Sequence, residues 1–303
     1  MSSKTMLDLF SSRFVLYYRN SRTLEWKAYV SMAILGFISN SVLAIILAPS
    51  EIFKFMLTTS LYLAFSFSIN NSFDAKSDVL HKEKAMKNPI ATGEIKFKEG
   101  IIFSSCLAIV GLLLTYCWFE SCFSIYLSLI ILSSAYSVPP IRLKSKPFLD
   151  LISHGMFFGI LLYFYGVLAS GGLIFQNIIV GFSIFIYSII LELRNHLKDF
   201  EVDLRSRTIT TVCYLGYRKS LIALKVLLVF HWSFLSMASF IIRHEIAALP
   251  IFLSILFTLA GLKQIRSNRY LRIADLFTCI ILLLLTLFRE ECNDSIFTWN
   301  ELS

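Results

Sequence analysis

Charged residues are scarce in this chain of 303 residues. Asp, Glu, Lys and Arg make up 16% of the sequence, whereas soluble globular domains carry about 25%. Hydrophobic residues instead make up 56%, and 28 of the residues are Phe. This composition excludes an ordinary soluble domain and predicts an integral membrane protein.

Several common catalytic and metal-binding patterns are also missing. The 6 Cys include no Cys-x-x-Cys pair, and the 5 His do not form a ligand set. There is no Gly-rich phosphate loop, no nucleophile elbow and no His-Glu-x-x-His. These absences exclude the familiar zinc, nucleotide-loop and serine-hydrolase sites, so any chemistry must come from other residues.

Long apolar runs are abundant, and each membrane crossing needs about 20 such residues. The sequence predicts an all-α, polytopic membrane protein with nine transmembrane helices. The predicted spans cover 29–48, 52–69, 101–119, 122–138, 149–168, 173–193, 221–242, 246–262 and 273–288. The predicted organisation is an interfacial N-terminal segment over 1–28, a single nine-helix domain over 29–288, and a short tail over 289–303.

The 28 Lys and Arg fall almost entirely on one side of these spans. They occupy the N-terminal segment and the loops after the even-numbered spans. The exceptions are Lys54, Arg243, Arg289 and, inside the seventh span, Lys225. By the positive-inside rule, the N-terminus and these loops are predicted to be cytoplasmic and the C-terminal tail non-cytoplasmic. The same rule explains the net charge of +8 without a nucleic-acid partner.

Two Asp-x-x-x-Asp pairs stand at predicted cytoplasmic helix ends. Asp74 and Asp78 close the second span, with Asn70 one turn earlier, so that all three share one helical face. Asp199 and Asp203 close the sixth span with the same spacing. Carboxylates four residues apart repel each other on a helix, and a divalent cation between them would remove that repulsion.

The carboxylates predict a magnesium site. Mg²⁺ prefers oxygen ligands and is usually held by one or two carboxylates together with substrate phosphates. One such pair alone is also typical of a solvated helix end, but two pairs on the same side of a membrane favour a site. The expected catalytic and metal-binding residues are Asp74, Asp78, Asp199 and Asp203.

Basic and polar residues accompany both pairs, as binding of a diphosphate requires. Arg offers a planar fork to phosphate and Lys a point charge. Any one of these cations is also explained by the positive-inside rule alone. The expected diphosphate-binding residues are Asn70, Lys84, Lys87, Tyr136, Arg142, Lys144, Asn195 and Lys198.

Taken together and in their order along the chain, these motifs resemble those of the UbiA family of intramembrane prenyltransferases. The resemblance rests on both Asp-rich clusters, on the Tyr-Ser-x-Pro-Pro stretch at 136–140, and on the Asn-Pro-hydrophobic-x-x-Gly block at 88–93. Two positions depart from the family pattern. Asn71 stands where a second acidic residue is usual, and Asn88 replaces the usual Arg before Pro89.

The resemblance implies a nine-helix bundle that transfers a prenyl group with the help of Mg²⁺. The donor would be an isoprenoid diphosphate, and the acceptor a quinone precursor, lipid or isoprenoid that enters from the bilayer. It further implies a multi-pass protein surrounded by membrane lipids, in the cell membrane if the source is a prokaryote, with its active-site loops cytoplasmic. Three alternatives stay open: a UbiA-type terpene cyclase, a phosphoribosyl-transferring relative, and a non-enzymatic membrane transporter.

Overall fold

A computed structural model of the chain describes residues 13–40, 48–206, 208–242, 252 and 268–287. Within these ranges all regular structure is helical, as the sequence predicts. The predicted eighth span lies outside the described residues apart from Phe252, and the tail over 289–303 lies wholly outside them. Of the predicted N-terminal segment over 1–28, residues 13–28 are described, and residues 13–20 form a helix.

Helices make up most of the described residues. They are α1 (Lys27–Phe37), α2 (Pro49–Asp78), α3 (Lys82–Lys87), α4 (Phe97–Trp118), α5 (Phe123–Ser137), α6 (Leu149–Ala169), α7 (Ile174–Ser206), α8 (Thr211–Leu215), α9 (Tyr217–Ile242) and α10 (Asn268–Leu287). Helix α6 contains a π-helical turn over Gly155–Ile160. Helix α2 begins with Pro49, whose fixed φ and missing N–H suit the first helical turn.

Six of these helices are long and apolar enough to cross a membrane: α2, α4, α6, α7, α9 and α10. They lie where the second, third, fifth, sixth, seventh and ninth spans are predicted. Helices α1 and α5 lie at the first and fourth predicted spans but have only 11 and 15 residues. The count of nine spans and the cytoplasmic N-terminus therefore stay predictions.

The chain divides into two compact units, Met1–Leu227 and Leu228–Ser303, and the boundary falls inside α9. In the first unit α2 packs along α4, α1 packs along the second half of α6, and α7 packs against the π-helical turn. In the second unit, buried residues on α9 and α10 include Trp232, Leu235, Ala274 and Leu282.

Buried aromatic residues form much of the core of the first unit. Phe37 and Phe55 stack with ring centroids 4.2 Å apart. The buried tyrosine hydroxyls are paired: Tyr62 lies 2.9 Å from the hydroxyl of Ser133, and Tyr126 donates to the carbonyl oxygen of Thr58 at 2.9 Å. This pairing satisfies hydroxyl groups that would otherwise be costly to bury away from water.

Two glycines let α1 and α6 approach to backbone contact. A Cβ on Gly36 would collide with the carbonyl oxygen of Tyr163, and a Cβ on Gly166 would collide with that of Ala33. Small residues at such a crossing are typical of membrane helix pairs, where close packing replaces the hydrophobic effect.

Replacing Gly166 by Val should destabilise the first unit, because the new side chain would collide with the backbone of α1, which cannot move aside as a flexible side chain would. Overpacking of this kind costs about 1–3 kcal/mol. The expected result is a lower midpoint of thermal unfolding in detergent, measured by size-exclusion chromatography after heating. Ser31→Ala, on the exposed side of α1, is the matched control. An unchanged midpoint for Gly166→Val would show that the two helices do not meet at this glycine.

Helices α2 and α7 are longer than a membrane requires. Their 30 and 33 residues correspond to about 45 and 50 Å at about 1.5 Å per residue, against roughly 30 Å of hydrocarbon. The excess lets the C-terminal turns of both helices extend towards water, and both Asp pairs lie on those turns.

Candidate active site

A cavity of about 650 Å³ lies between the C-terminal ends of α2 and α7 in the first unit. Every predicted site residue except Arg142 lines it: Asn70, Asp74, Asp78, Lys84, Lys87, Tyr136, Lys144, Asn195, Lys198, Asp199 and Asp203. Helices that are far apart in sequence thus bring both Asp pairs to one cavity.

Asp74 is held between two cations from the loop after α5. Its carboxylate forms an ion pair with the ammonium group of Lys144, and the guanidinium Nη2 of Arg142 lies 3.3 Å from its Oδ1. The same Lys144 also donates to the side-chain oxygen of Asn70 at 3.4 Å. The loop turns towards α2 at Arg142, which has a left-handed backbone (φ 36°). Arg142 therefore does not line the cavity itself, but it contacts Asp74, which does.

Asp78 is paired with a residue from the N-terminal segment. The guanidinium Nη2 of Arg22 lies 3.1 Å from Asp78 Oδ2, and the side-chain amide of Asn88 donates to the same oxygen at 2.9 Å. Asn88 is fully buried and also donates to the carbonyl oxygen of Asn71. Arg22, which lines the cavity, thus supplies positive charge near the position where the family pattern has Arg before Pro89.

Asn71 points away from the cavity, although it precedes the first Asp pair in sequence. Its side-chain amide donates to the carbonyl oxygen of Asn20 at 2.9 Å and is fully buried. Where the family pattern has a second acidic residue, this chain therefore has an amide side chain that links α2 to the N-terminal segment.

The second Asp pair faces the short helix α3. The ammonium group of Lys84 lies 2.8 Å from Asp199 Oδ2. Burial disfavours the charged form of Lys84, but the carboxylates of Asp199, Asp203 and Asp78 outweigh it and hold the pKa of the Lys84 ammonium above its ordinary value. Lys87, on the same helix, pairs with Glu25 at 2.7 Å. The cavity mouth therefore carries positive charge from α3 as well as from the loop after α5.

Sequence reasoning missed a buried polar cluster in the cavity wall. Glu192, His154 and His196 line the cavity, and all three are buried. Glu192 accepts a hydrogen bond from the hydroxyl of Tyr136 at 2.6 Å. One signal could have revealed it, because Glu192 precedes Asp199 by seven residues, or two helical turns, and so shares its face of α7.

The four aspartates have the donor chemistry that a magnesium ion needs. Among the described residues, no three Asp, Glu, His or Cys side chains are already grouped as a complete metal site. Asp74, Asp78 and Asp199 are instead paired with Arg or Lys. Because Mg²⁺ usually takes one or two carboxylates and completes its shell with phosphate oxygens and water, this oxygen donor set fits an ion that binds together with a diphosphate.

Comparison with solved structures finds the same fold in UbiA homologs. The chain resembles a UbiA homolog from Archaeoglobus fulgidus bound to GPP and Mg²⁺, at 22% identity and a TM-score of 0.70, covering 89% of this chain and 99% of that one. The form bound to DMAPP and Mg²⁺ matches at 22% identity with a TM-score of 0.68, covering 90% and 99% of the two chains. A structure described as digeranylgeranylglyceryl phosphate synthase in membranes matches at 19% identity with a TM-score of 0.64, covering 91% and 98%.

A search of curated proteins finds no match. The model of the UbiA prenyltransferase family, however, matches residues 28–287, which is most of the chain and includes both Asp pairs. The predicted resemblance is thereby confirmed. The chain belongs to the UbiA prenyltransferase family, and its apolar helices make it an integral multi-pass membrane protein.

Proposed function

We propose that this protein transfers a prenyl group from an isoprenoid diphosphate to a hydrophobic acceptor in the membrane, in a reaction that depends on Mg²⁺. The observation that carries the proposal is the convergence of Asp74 and Asp78 from α2 with Asp199 and Asp203 from α7 on one cavity. The relatives of this fold that bind GPP or DMAPP with Mg²⁺ support the choice of donor and ion.

The donor end of the cavity suits a diphosphate. The four aspartates would hold Mg²⁺, which when bound supplies positive charge beside the phosphate oxygens. Lys84 and Lys144, now paired with Asp199 and Asp74, are placed to exchange these partners for phosphate oxygens. Such fixed positive charges stabilise the departing diphosphate as negative charge develops on it.

The inner wall of the cavity suits the prenyl group. Tyr29, Phe67 and Phe158 line it, and the rings of Tyr29 and Phe158 stack with centroids 4.1 Å apart. Aromatic faces attract positive charge, so they favour the allylic cation that forms as the carbon–oxygen bond breaks. An apolar wall also excludes water, which would otherwise capture the cation in place of the acceptor.

Removal of divalent metal should abolish turnover. The purified protein in lipid nanodiscs would be incubated with labelled geranylgeranyl, farnesyl and longer prenyl diphosphates, and both released diphosphate and labelled lipid would be measured. EDTA is expected to reduce both to background, and excess Mg²⁺ to restore them. Diphosphate release that is insensitive to EDTA, or no release from any donor, would contradict the proposal. Release with a cyclised donor product and no labelled acceptor would assign the cyclase activity instead.

We also propose that the site faces the cytoplasm, as the distribution of Lys and Arg predicts. Cysteine substitution at Lys82, the exposed first residue of α3, should create a thiol that a membrane-impermeant maleimide reaches only from the cytoplasmic face. Cys106, Cys117, Cys213 and Cys279 are exposed or half-buried in the native chain, so a variant with its native cysteines replaced by Ser is the labelling background. Labelling of intact cells from outside would contradict the predicted orientation.

A further inference from the structure

Glu192 lines the cavity from an earlier turn of α7 than Asp199 and Asp203. It precedes Asp199 by seven residues on α7, which corresponds to about 10 Å along the helix axis. Its described partners are Tyr136, Asn195 and two histidines, whereas four of the five Lys and Arg residues that line the cavity pair with the aspartates or Glu25. This carboxylate therefore has other partners than the cations of the diphosphate end, and Tyr136 and Asn195, which the sequence predicts to bind diphosphate, contact Glu192 in this structure.

Four polar groups surround the Glu192 carboxylate. Oε1 accepts from the hydroxyl of Tyr136 at 2.6 Å and lies 3.1 Å from Nε2 of His196. Oε2 accepts from the side-chain amide of Asn195 at 3.2 Å and lies 3.3 Å from Nε2 of His154. The two contacts at Oε2 are the longer ones, so this oxygen is the one that an incoming donor can engage.

A second carboxylate lies on the far side of His196 from Glu192. Asp150 is fully buried, and its Oδ2 lies 3.3 Å from Nδ1 of His196. The backbone N–H of Thr211 donates to the same Asp150 oxygen at 2.6 Å, which ties α8 to the start of α6. On the other side, Nδ1 of His154 lies 3.1 Å from the hydroxyl of Ser188. A polar residue held by such a supporting shell is positioned for a specific contact.

The charge of the cluster around Glu192 favours some prenyl acceptors over others. Glu192 and Asp150 are both carboxylates, and among the described contacts of Glu192 only the two histidines can carry positive charge. An acceptor with its own carboxylate would meet like charge in a water-poor wall, whereas a hydroxyl would find a hydrogen-bond acceptor in Glu192 Oε2. Tyr29, whose hydroxyl lies 3.4 Å from Nε2 of His154, adds a second polar group beside the aromatic wall.

We infer that Glu192 binds the prenyl acceptor through an uncharged hydroxyl group and accepts the proton of that hydroxyl during transfer. The inference rests on the proposed function and deepens it. The bond between the allylic carbon and the diphosphate oxygen breaks, and its electron pair leaves with the diphosphate. A lone pair of the hydroxyl oxygen forms the new carbon–oxygen bond, the O–H bond breaks, and the proton passes to Oε2 of Glu192. The product is an ether.

The first test separates ionisation of the donor from capture by the acceptor. In nanodiscs made from a lipid extract of the native membrane, Glu192→Gln should lower labelled ether formation by about 10²–10⁴-fold, the range of a general base. Diphosphate release should continue, now accompanied by prenyl alcohol from capture by water. Glu192→Asp should recover part of the transfer. Glu120→Gln, an exposed carboxylate that does not line the cavity, should behave as the native protein.

Three outcomes would overturn the inference. Ether formation at the native rate in Glu192→Gln would show that Glu192 takes no proton. Equal loss of diphosphate release and of transfer, with binding of an unreactive thiolodiphosphate also lost, would show that the residue only maintains the fold. If native protein releases no diphosphate in this assay, the proposed function itself fails.

The second test identifies the acceptor. Mass spectrometry of the lipid labelled by the native protein should find the prenyl group attached through oxygen to a molecule without a carboxylate. Prenylation at an aromatic carbon, or of an acceptor that carries a carboxylate, would overturn the assigned acceptor class while leaving the proposed transfer intact.

Discussion

Replacing Asp199 by Asn should lower prenyl transfer by about 10³-fold or more, because single charge-stabilising groups in active sites commonly contribute 10²–10³-fold and this residue would also hold the metal. Asn keeps the size of the side chain but removes the negative charge, and its amide nitrogen cannot bind a cation. The measurement is the rate of diphosphate release at saturating Mg²⁺, together with retention on size-exclusion chromatography as evidence of folding.

Glu201→Gln is the matched control for this variant. Glu201 lies on the same helix between Asp199 and Asp203, but it is exposed and pairs with Arg205 at 3.9 Å outside the cavity. Removal of its charge should change the rate less than twofold, since exposed ion pairs contribute little. Equal losses in the two variants would mean that the general negative charge of this helix end matters, and not a metal site.

Replacing Lys144 by Met should lower kcat/KM for the prenyl diphosphate by about 10²–10³-fold. Lys144 is half of the ion pair with Asp74 and is almost buried, so its ammonium is fixed at the diphosphate end of the cavity. Met keeps the apolar stem and removes the charge. The loss should appear in both kcat and KM, because the cation would bind the diphosphate in the ground state and stabilise it as it departs.

Lys146→Met provides the comparison for Lys144. Lys146 follows two residues later in the same loop, is exposed, and does not line the cavity. Its replacement removes the same formal charge from the same face of the protein and should leave kcat/KM unchanged. A similar loss in both variants would indicate long-range attraction of the anionic donor, which rising salt concentration would weaken.

Helical periodicity accounts for the part of the site that could be predicted. Asp74 and Asp78 are neighbours on α2 because residues four apart share a helical face, and the same spacing places Asp199 and Asp203 together on α7. The meeting of the two pairs was predicted from topology, because the distribution of Lys and Arg put both helix ends on one side. The family resemblance built on these motifs is confirmed by the match over 28–287.

Residues whose roles depend on tertiary contacts were not predictable in the same way. Arg22 looked like one more positive residue of the N-terminal segment, and only the fold places it against Asp78. Likewise, His154 and Asp150 reach Glu192 and His196 from a different helix. No one-dimensional spacing encodes that approach, although the shared face of Glu192 and Asp199 on α7 was available as a signal.

Span lengths were predicted less well than span positions. Helix α5 agrees with its predicted span of 122–138 to within one residue at each end, and it stops at Ser137 just before the Pro139–Pro140 pair, because proline lacks the N–H that would continue the helix. Conversely, α2 and α7 continue well beyond the apolar runs predicted for them, to Asp78 and Ser206. Hydropathy predicts only the apolar part of a helix. It does not predict whether the polar turns that follow, which carry the site, continue the helix.

A double-mutant cycle between Asp74 and Asp199 tests most directly whether the two helices hold one metal and diphosphate together. The affinity of an unreactive prenyl thiolodiphosphate would be measured with Mg²⁺ in the native protein, Asp74→Asn, Asp199→Asn and the double variant. If both residues serve one site, each single change should remove most of the Mg²⁺-dependent affinity and the double change little more, a coupling of at least about 1 kcal/mol. Losses that simply add, or affinity retained in either single variant, would contradict a shared site.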